Sequence, residues 1–286
     1  MTNVEPNNAV RAIDGHRIAF VGGGAMAEAF IGGLLAQGLA APGDVVAGEP
    51  VPTRRQYLTE RLGIRAVATN AEAVAGAGVV VLAVKPQVIA KVLDDLAAIP
   101  LPSEALLISF VTGTRIAALR AALGERPVVR LMPNTPAQIG EGVSVWTATA
   151  DCSSDQREHA RALIGALGEE VYVDDEAYLD MATALSGSGP GYVFLFIEAL
   201  IDAGVRIGLA RPIAEKLVLQ TVKGSALYVQ RSGQHPAALR NAVTSPGGTT
   251  AEGLHQLESG GLRAAVENAV AAAYQRARQL GGPEHA

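Results

Sequence analysis

Residues 18–27 read Ile18-Ala19-Phe20-Val21-Gly22-Gly23-Gly24-Ala25-Met26-Ala27, an apolar run that ends in three glycines and continues into small, helix-favouring residues. Ile18 to Val21 suit a strand buried on both faces. Gly22-x-Gly24-x-x-Ala27 follows at the spacing of a turn that seats a dinucleotide diphosphate on a helix N-terminus. Gly22 makes the tight turn, Gly24 lets the diphosphate approach the backbone, and Ala27 supplies the small side chain needed where helix meets strand. Ala25 and Met26 open that helix and complete the expected diphosphate contacts. A glycine turn alone carries little meaning; a strand before it and a helix after it make it a Rossmann fingerprint.

Working outward, the pattern from His16 to about Val173 alternates short β-branched runs with longer amphipathic stretches, which predicts βαβ units and a mainly parallel sheet. Strands are expected at 17–21, 44–47, 65–68, 78–83, 105–110, 128–131, 143–146 and 170–173, with helices at 25–37, 54–62, 87–97, 115–123 and 154–167. After Asp174 the strand signal ends. Ala/Leu-rich windows with i, i+3, i+4 spacing predict helices over 176–185, 192–207, 212–231 and 262–280, with another suggested from Ala251 to Leu257. The expected architecture is an α/β Rossmann-like dinucleotide-binding domain over 14–173, followed by an all-α substrate-binding and dimerisation domain over 174–282. Residues 188–207 carry few charges around their circumference, which favours an intertwined dimer over a solitary bundle. The first dozen residues and the 281–286 tail read as disordered ends.

Composition narrows the function classes. With 49% hydrophobic and 18% charged residues, 286 residues can bury a substantial core, and a net charge of −5 without a basic run argues against nucleic acid as a partner. A single cysteine, Cys152, leaves no thiolate cluster, and five scattered histidines offer no ligand spacing, so no metal site is expected. The most apolar runs, 79–84 and 192–201, are too short to span a bilayer, and the polar start carries no export signal. The expectation is a cytoplasmic protein without a membrane partner.

Further candidate cofactor contacts follow from strand ends. Glu49, closing the second strand, could accept from the ribose 2′-OH of NAD, yet Arg54 and Arg55 follow and could clamp the 2′-phosphate of NADP. The two readings stay open. Val84-Lys85-Pro86 closes the fourth strand, at the edge where open α/β sheets bind ligands, and Pro86 suits the first position of a helix. Asn134, between Pro133 and Pro136, presents an amide from a rigid loop suited to a nicotinamide ring.

In the helical half, Ser186-Gly187-Ser188-Gly189-Pro190 offers close backbone approach, or a hinge. Thr244-Ser245-Pro246-Gly247-Gly248-Thr249-Thr250 offers N–H groups, hydroxyls and a helix start to an anion without any basic side chain, although a plain turn with an N-cap has similar composition. No histidine, carboxylate pair or Ser/His/Asp grouping accompanies these segments. Carbonyl reduction needs a proton donor for the developing alkoxide; an iminium carbon is already electrophilic and needs positioning and hydride delivery.

These segments resemble, in order and over nearly the whole chain, the pyrroline-5-carboxylate reductase family. The resemblance rests on His235-Pro236 through Leu239, Val243 to Thr250, Gly253-Leu254 and Leu257-Glu258. Leu185 to Pro190, Val84-Lys85-Pro86 and Met132 to Pro136 add to it. It implies reduction of 1-pyrroline-5-carboxylate to L-proline, with NADP(H) favoured and NAD(H) possible, in a homodimer assembled into a larger ring of dimers. Ser245, Gly247, Gly248 and Thr249 would hold the substrate carboxylate, and Thr250 would hydrogen-bond the ring nitrogen as the catalytic residue. Competing readings are a relative of the β-hydroxyacid dehydrogenases, using Lys216 or Lys223 as acid–base, and a non-catalytic dinucleotide sensor.

Overall fold

Eight strands among the described residues join in one sheet, with helices packed on both faces of it. The structure is a computed structural model and describes residues 17–282; the expected disordered start and residues 283–286 lie outside that range. The first part runs β1 (Arg17–Val21), α1 (Ala25–Ala36), β2 (Val45–Gly48), α2 (Pro52–Leu62), β3 (Arg65–Val67), α3 (Asn70–Val74), β4 (Ala77–Leu82) and α4 (Ile89–Ala97). It continues through β5 (Leu106–Ser109), α5 (Ile116–Leu123), β6 (Val128–Met132), β7 (Gly142–Ala148), α6 (Ser154–Gly165) and β8 (Gly168–Tyr172). The strand order is β3-β2-β1-β4-β5-β6-β7-β8, and only the β6–β7 pairing is antiparallel. Its first six strands have the doubly wound order, in which the chain leaves β1 to one side and returns to β4 on the other. The loops after β1 and β4 therefore part and open a crevice.

The apolar continuity of the strands follows from burial on both faces. Ile18 and Phe20 of β1 join the core under α1, with Phe30, Ile31 and Leu34, while Ala19 and Val21 join Val80, Leu82, Leu96 and Leu107 on the other face. Phe20 and Phe30 meet edge to face at 5.6 Å, and each fully buried side chain of this size contributes about 1.5–3 kcal/mol. These contacts fix where β1 ends and hence where the glycine turn sits.

The remaining helices are α7 (Ala177–Ala182), α8 (Gly189–Arg206), α9 (Arg211–Ser232), α10 (Pro236–Ala242), α11 (Thr249–Ser259) and α12 (Leu262–Leu280), with a π-turn at Thr183–Gly187. The sequence pattern changes at residue 174, but compactness changes later. One unit ends at Gly187 and takes in the chain from Ala273 onward; the other is Ser188–Ala272. The cause is local to the first unit: Glu176 at the start of α7 pairs with Arg130 of β6 at 2.7 Å. A β-carbon on Gly113 would lie 2.7 Å from the Leu280 carbonyl oxygen, so α12 ends tight against the β5–α5 loop.

In the second unit α8 and α11 have no buried residue and α9 has only Ala214; Phe194 and Leu195 are 60% and 66% exposed. One expectation needs correction. The helical run Ala177–Arg206 is long and apolar enough, by length and composition, to cross a membrane, with only 6% of its most apolar window buried. The small residues at 186–190 look like a break in the sequence, but the π-turn carries the helix through them to a bend at Ser188. Apolar side chains exposed in a single chain are also what a face covered by a second copy presents.

Candidate active site

The glycine turn has the geometry its residues require. Gly22 has φ +102°, and a β-carbon there would lie 2.6 Å from the Ala83 carbonyl oxygen. Gly22 N donates to Gly48 O at 2.9 Å, tying the turn to β2. Gly24 is the N-cap of α1, exposed, with open space where a side chain would stand. The first-turn N–H groups of α1 have no intrahelical acceptor, so Gly24 and Ala25 present donors to an approaching anion. Met26 is half-buried behind them and Ala27 is fully buried against the sheet. A cavity of about 710 Å³ lined by Gly22, Gly48, Thr69, Asn70 and Val84 lies at this edge. A dinucleotide fits this loop: one glycine leaves no room for a side chain, and the next leaves the surface open.

Replacing Gly22 by Ala adds the cost of a positive φ in a residue with a β-carbon, about 1–2 kcal/mol, and a clash with backbone that cannot swing aside. The expected result is a nucleotide Kd raised at least about tenfold, read by nicotinamide fluorescence titration; an unchanged Kd would remove Gly22 from the site.

Glu49, directly after β2, is 9% exposed. Its Oε2 accepts from Gly23 N at 3.2 Å and its Oε1 from Val51 N at 2.9 Å. Arg54, near the start of α2, donates from Nε to Gly23 O at 2.7 Å and from Nη2 to Glu28 Oε2 at 2.6 Å. Arg55 donates from Nη1 to Glu49 O and Pro50 O, both at 2.8 Å. Val84 follows β4, and its Cγ1 would lie 2.9 Å from a β-carbon on Gly22. Lys85 and Pro86 are exposed, and Pro86 starts a 3-10 turn that leads into α4. Asn134 follows β6; its Oδ1 accepts from Val143 N at 3.0 Å, which leaves the NH₂ group to donate elsewhere. The expected cofactor residues thus gather on the loops and helix starts that follow β1, β2, β4 and β6, along the edge where this sheet class binds ligands. Sequence reasoning missed Glu28 and Tyr57, whose hydroxyl donates to Glu28 Oε1 at 2.9 Å. An acid in the first turn of a helix expected to seat an anion was the available signal.

The second unit holds the expected substrate residues in one turn. Gly247 has φ +68°, and Gly248 is the N-cap of the 11-residue α11. Gly248 N donates to Ser245 O at 3.0 Å, closing the turn. A β-carbon on Gly248 would lie 2.4 Å from Ser245 Oγ, so only glycine allows that hydroxyl to lie over the helix start. Thr249 and Thr250 are the first two residues of α11, Thr249 exposed and Thr250 half-buried. Their N–H groups add to the Ser245 and Thr250 hydroxyls, so the turn offers neutral donors beside the positive end of a helix dipole. Lys216 and Lys223, the acid–base candidates of the competing reading, are exposed on α9.

A doubly wound sheet with a glycine turn of dinucleotide-binding geometry, followed by a helical unit, is the architecture of an NAD(P)H-dependent oxidoreductase. The chain matches a family model described as NADP oxidoreductase, coenzyme F420-dependent, over residues 17–113, and one described as pyrroline-5-carboxylate reductase dimerisation over residues 176–280. It is 46% identical over 265 residues to the pyrroline-5-carboxylate reductase of Pseudomonas aeruginosa, covering 92% of this chain and 96% of that protein. Among solved structures it is similar to the enzyme from Coxiella burnetii, at TM-score 0.85 and 36% identity over 94% of this chain and 99% of that one. It is also similar to that of Plasmodium falciparum with NADP bound, at TM-score 0.86 and 34% identity over 94% and 100%. The chain belongs to the pyrroline-5-carboxylate reductase family.

Proposed function

We propose that this chain reduces 1-pyrroline-5-carboxylate to L-proline, the last step of proline biosynthesis, with NADPH favoured over NADH. The observation that carries this reading is the turn at Ser245 to Thr250, which offers an anion several donors and no acid–base group. Its donors are the Ser245 hydroxyl and the N–H groups of Gly247 and Thr249, and the bare Gly248 lets that hydroxyl lie at the helix start; together they hold the substrate carboxylate. Thr250 Oγ would accept a hydrogen bond from the N–H of the protonated ring nitrogen, so that nitrogen takes the electron pair of the C=N bond as hydride reaches the neighbouring carbon and ends as a neutral amine with no further proton needed. The cofactor supplies that hydride. Gly22, Gly24, Ala25 and Met26 hold its diphosphate, Glu49 and Arg54 act at the loop beside its adenosine ribose, and Val84, Lys85, Pro86 and Asn134 serve the nicotinamide side. An oxyanion never develops in this reaction, which is why a site of hydroxyls and backbone donors suffices.

The exposed apolar faces of α8 and α9 support a homo-oligomer, here proposed as a dimer assembled into a ring of dimers, working in the cytoplasm where reduced nicotinamide cofactors are drawn on for biosynthesis. The test is the fall in NADPH absorbance, and separately that of NADH, on mixing purified protein with 1-pyrroline-5-carboxylate, with proline detected as product and the chain count taken from sedimentation of the same sample. Turnover with a higher kcat/KM for NADPH is expected. Silence with both cofactors, despite measured nucleotide binding, would overturn the reading.

A further inference from the structure

We propose that the adjacent arginines of α2 have separate tasks: Arg54, with Glu49, locks the Gly23 peptide and sets affinity for the diphosphate shared by NADH and NADPH, whereas Arg55 supplies the charge that meets the 2′-phosphate. The inference rests on the proposed use of a nicotinamide dinucleotide and deepens it.

The Gly23 peptide lies between the two fingerprint glycines and is held from both sides. Its N–H donates to Glu49 Oε2 at 3.2 Å and its carbonyl accepts from Arg54 Nε at 2.7 Å. Leu58 closes the third side, since a β-carbon on Gly23 would lie 2.6 Å from its Cδ1. A loop fixed this way presents Gly24 and the start of α1 in one orientation, so less ordering is needed when the diphosphate arrives.

Arg54 keeps three N–H groups, as many as Arg55, but its charge is already matched by a carboxylate. Its Nη2 lies 2.6 Å from Glu28 Oε2, its guanidinium stacks 4.9 Å from the Tyr57 ring centroid, and Tyr57 donates to the other Glu28 oxygen. Glu28 gains from this as well. A carboxylate in the first turn of α1 suits the helix dipole but repels the diphosphate expected at the same place. Arg54 and Tyr57 neutralise and anchor it. Loss of Arg54 frees the Gly23 carbonyl and bares the Glu28 charge, and both consequences fall on the part common to the two cofactors.

Arg55 is in the opposite condition. Nη1 uses its two N–H groups on Glu49 O and Pro50 O, and no carboxylate among the described residues lies within ion-pair distance of it. Three N–H groups and a full positive charge remain. They sit on the residues that follow β2, where a doubly wound sheet places the adenosine ribose. Planar guanidinium donors match a phosphate edge in a way that a neutralised neighbour cannot. The inward turn of the Glu49 carboxylate, onto Gly23 and Val51, leaves this charge unopposed.

Binding tests the division without any turnover. Full-length protein and its Arg54→Met and Arg55→Met variants are titrated with NADPH, NADH, 2′,5′-ADP and 5′-ADP, by nicotinamide fluorescence and calorimetry. Arg55→Met is expected to raise the Kd for NADPH and 2′,5′-ADP about 10- to 100-fold, the size of lost charge-assisted hydrogen bonds, with NADH changed less than about twofold. Arg54→Met is expected to weaken NADPH and NADH by the same factor, about tenfold. Adding Glu28→Gln to Arg54→Met is expected to restore part of the affinity for both, which a merely damaged fold would not do. Should Arg54→Met not stay folded, Arg54→Lys, which cannot span both Gly23 O and Glu28, is expected to give a smaller but equally shared loss. Selective loss of NADPH on changing Arg54, or an equal loss of both on changing Arg55, would overturn the inference while leaving nucleotide binding intact. Failure of the unaltered protein to bind either nucleotide would overturn this and the proposed function together.

Discussion

Thr250→Ala is expected to lower kcat for 1-pyrroline-5-carboxylate about 10²- to 10³-fold, the range found when one positioned hydrogen-bond partner is removed from a reacting centre, with NADPH affinity unchanged. The reason is the scarcity of other groups. In the proposed site Ser245 and the backbone of the turn serve the carboxylate, and no histidine or carboxylate pair stands among the expected contacts, so the ring nitrogen would have one hydroxyl to meet it. Thr250 is the second residue of α11 and half-buried. A side chain there is aimed by the helix start, which itself is fixed by the Gly248–Ser245 turn. Alanine keeps the helix and removes only the hydroxyl and a methyl group. Thr250→Ser, which retains the hydroxyl, is expected to recover activity to within about tenfold of the unaltered enzyme. Steady-state kinetics with fluorescence titration of NADPH checks both. A Thr250→Ala variant with weakened cofactor binding and unchanged kcat would remove the catalytic assignment.

Much of this was legible because it is local. Period-two and continuous apolar runs place all eight strands within a few residues, since a parallel sheet buried on both faces leaves β-branched runs with little else to be. The glycine turn was readable for the same reason: Gly22 at φ +102° and the open Gly24 occupy fixed places relative to β1 and α1. Two short helices escaped. Asn70–Val74 is started by Thr69, whose hydroxyl accepts from Glu72 N at 3.3 Å, and Pro236–Ala242 by His235, whose Nδ1 accepts from Ala237 N at 3.1 Å. Five or seven residues give too few turns for a periodic signal. The contacts of Glu49 and Arg54 were open in sequence because they depend on which backbone atoms lie within hydrogen-bond reach, and strand order brings Gly23 to them across 26 and 31 residues of separation. The same holds for the ion pairs under α7, which join residues 46 and 65 positions apart in the chain.

Those ion pairs carry the second large expectation, that Glu176→Ala destabilises the sheet unit by about 3–5 kcal/mol, the range for stranding a buried charge. Arg130 on β6 is 4% exposed, and its Nη1 lies 2.7 Å from Glu176 Oε1. Its other carboxylate, Asp180, is 3.9 Å away and shared with Arg115 at 3.5 Å. Glu176 Oε1 also accepts from Ile116 N at 2.8 Å, at the first turn of α5. Removing Glu176 therefore leaves a buried guanidinium with only a distant partner and an orphaned helix-start N–H, which would keep the full cost of desolvation without its return. Glu176→Gln keeps an acceptor for Ile116 and loses the charge, so it should fall between alanine and the unaltered chain. Urea denaturation at one fixed protein concentration separates the three, because an oligomer's midpoint moves with concentration. A loss below about 1 kcal/mol for Glu176→Ala would class the pair with exposed ones and remove it as the anchor that makes α7 part of the sheet unit although its sequence reads as part of the helical half.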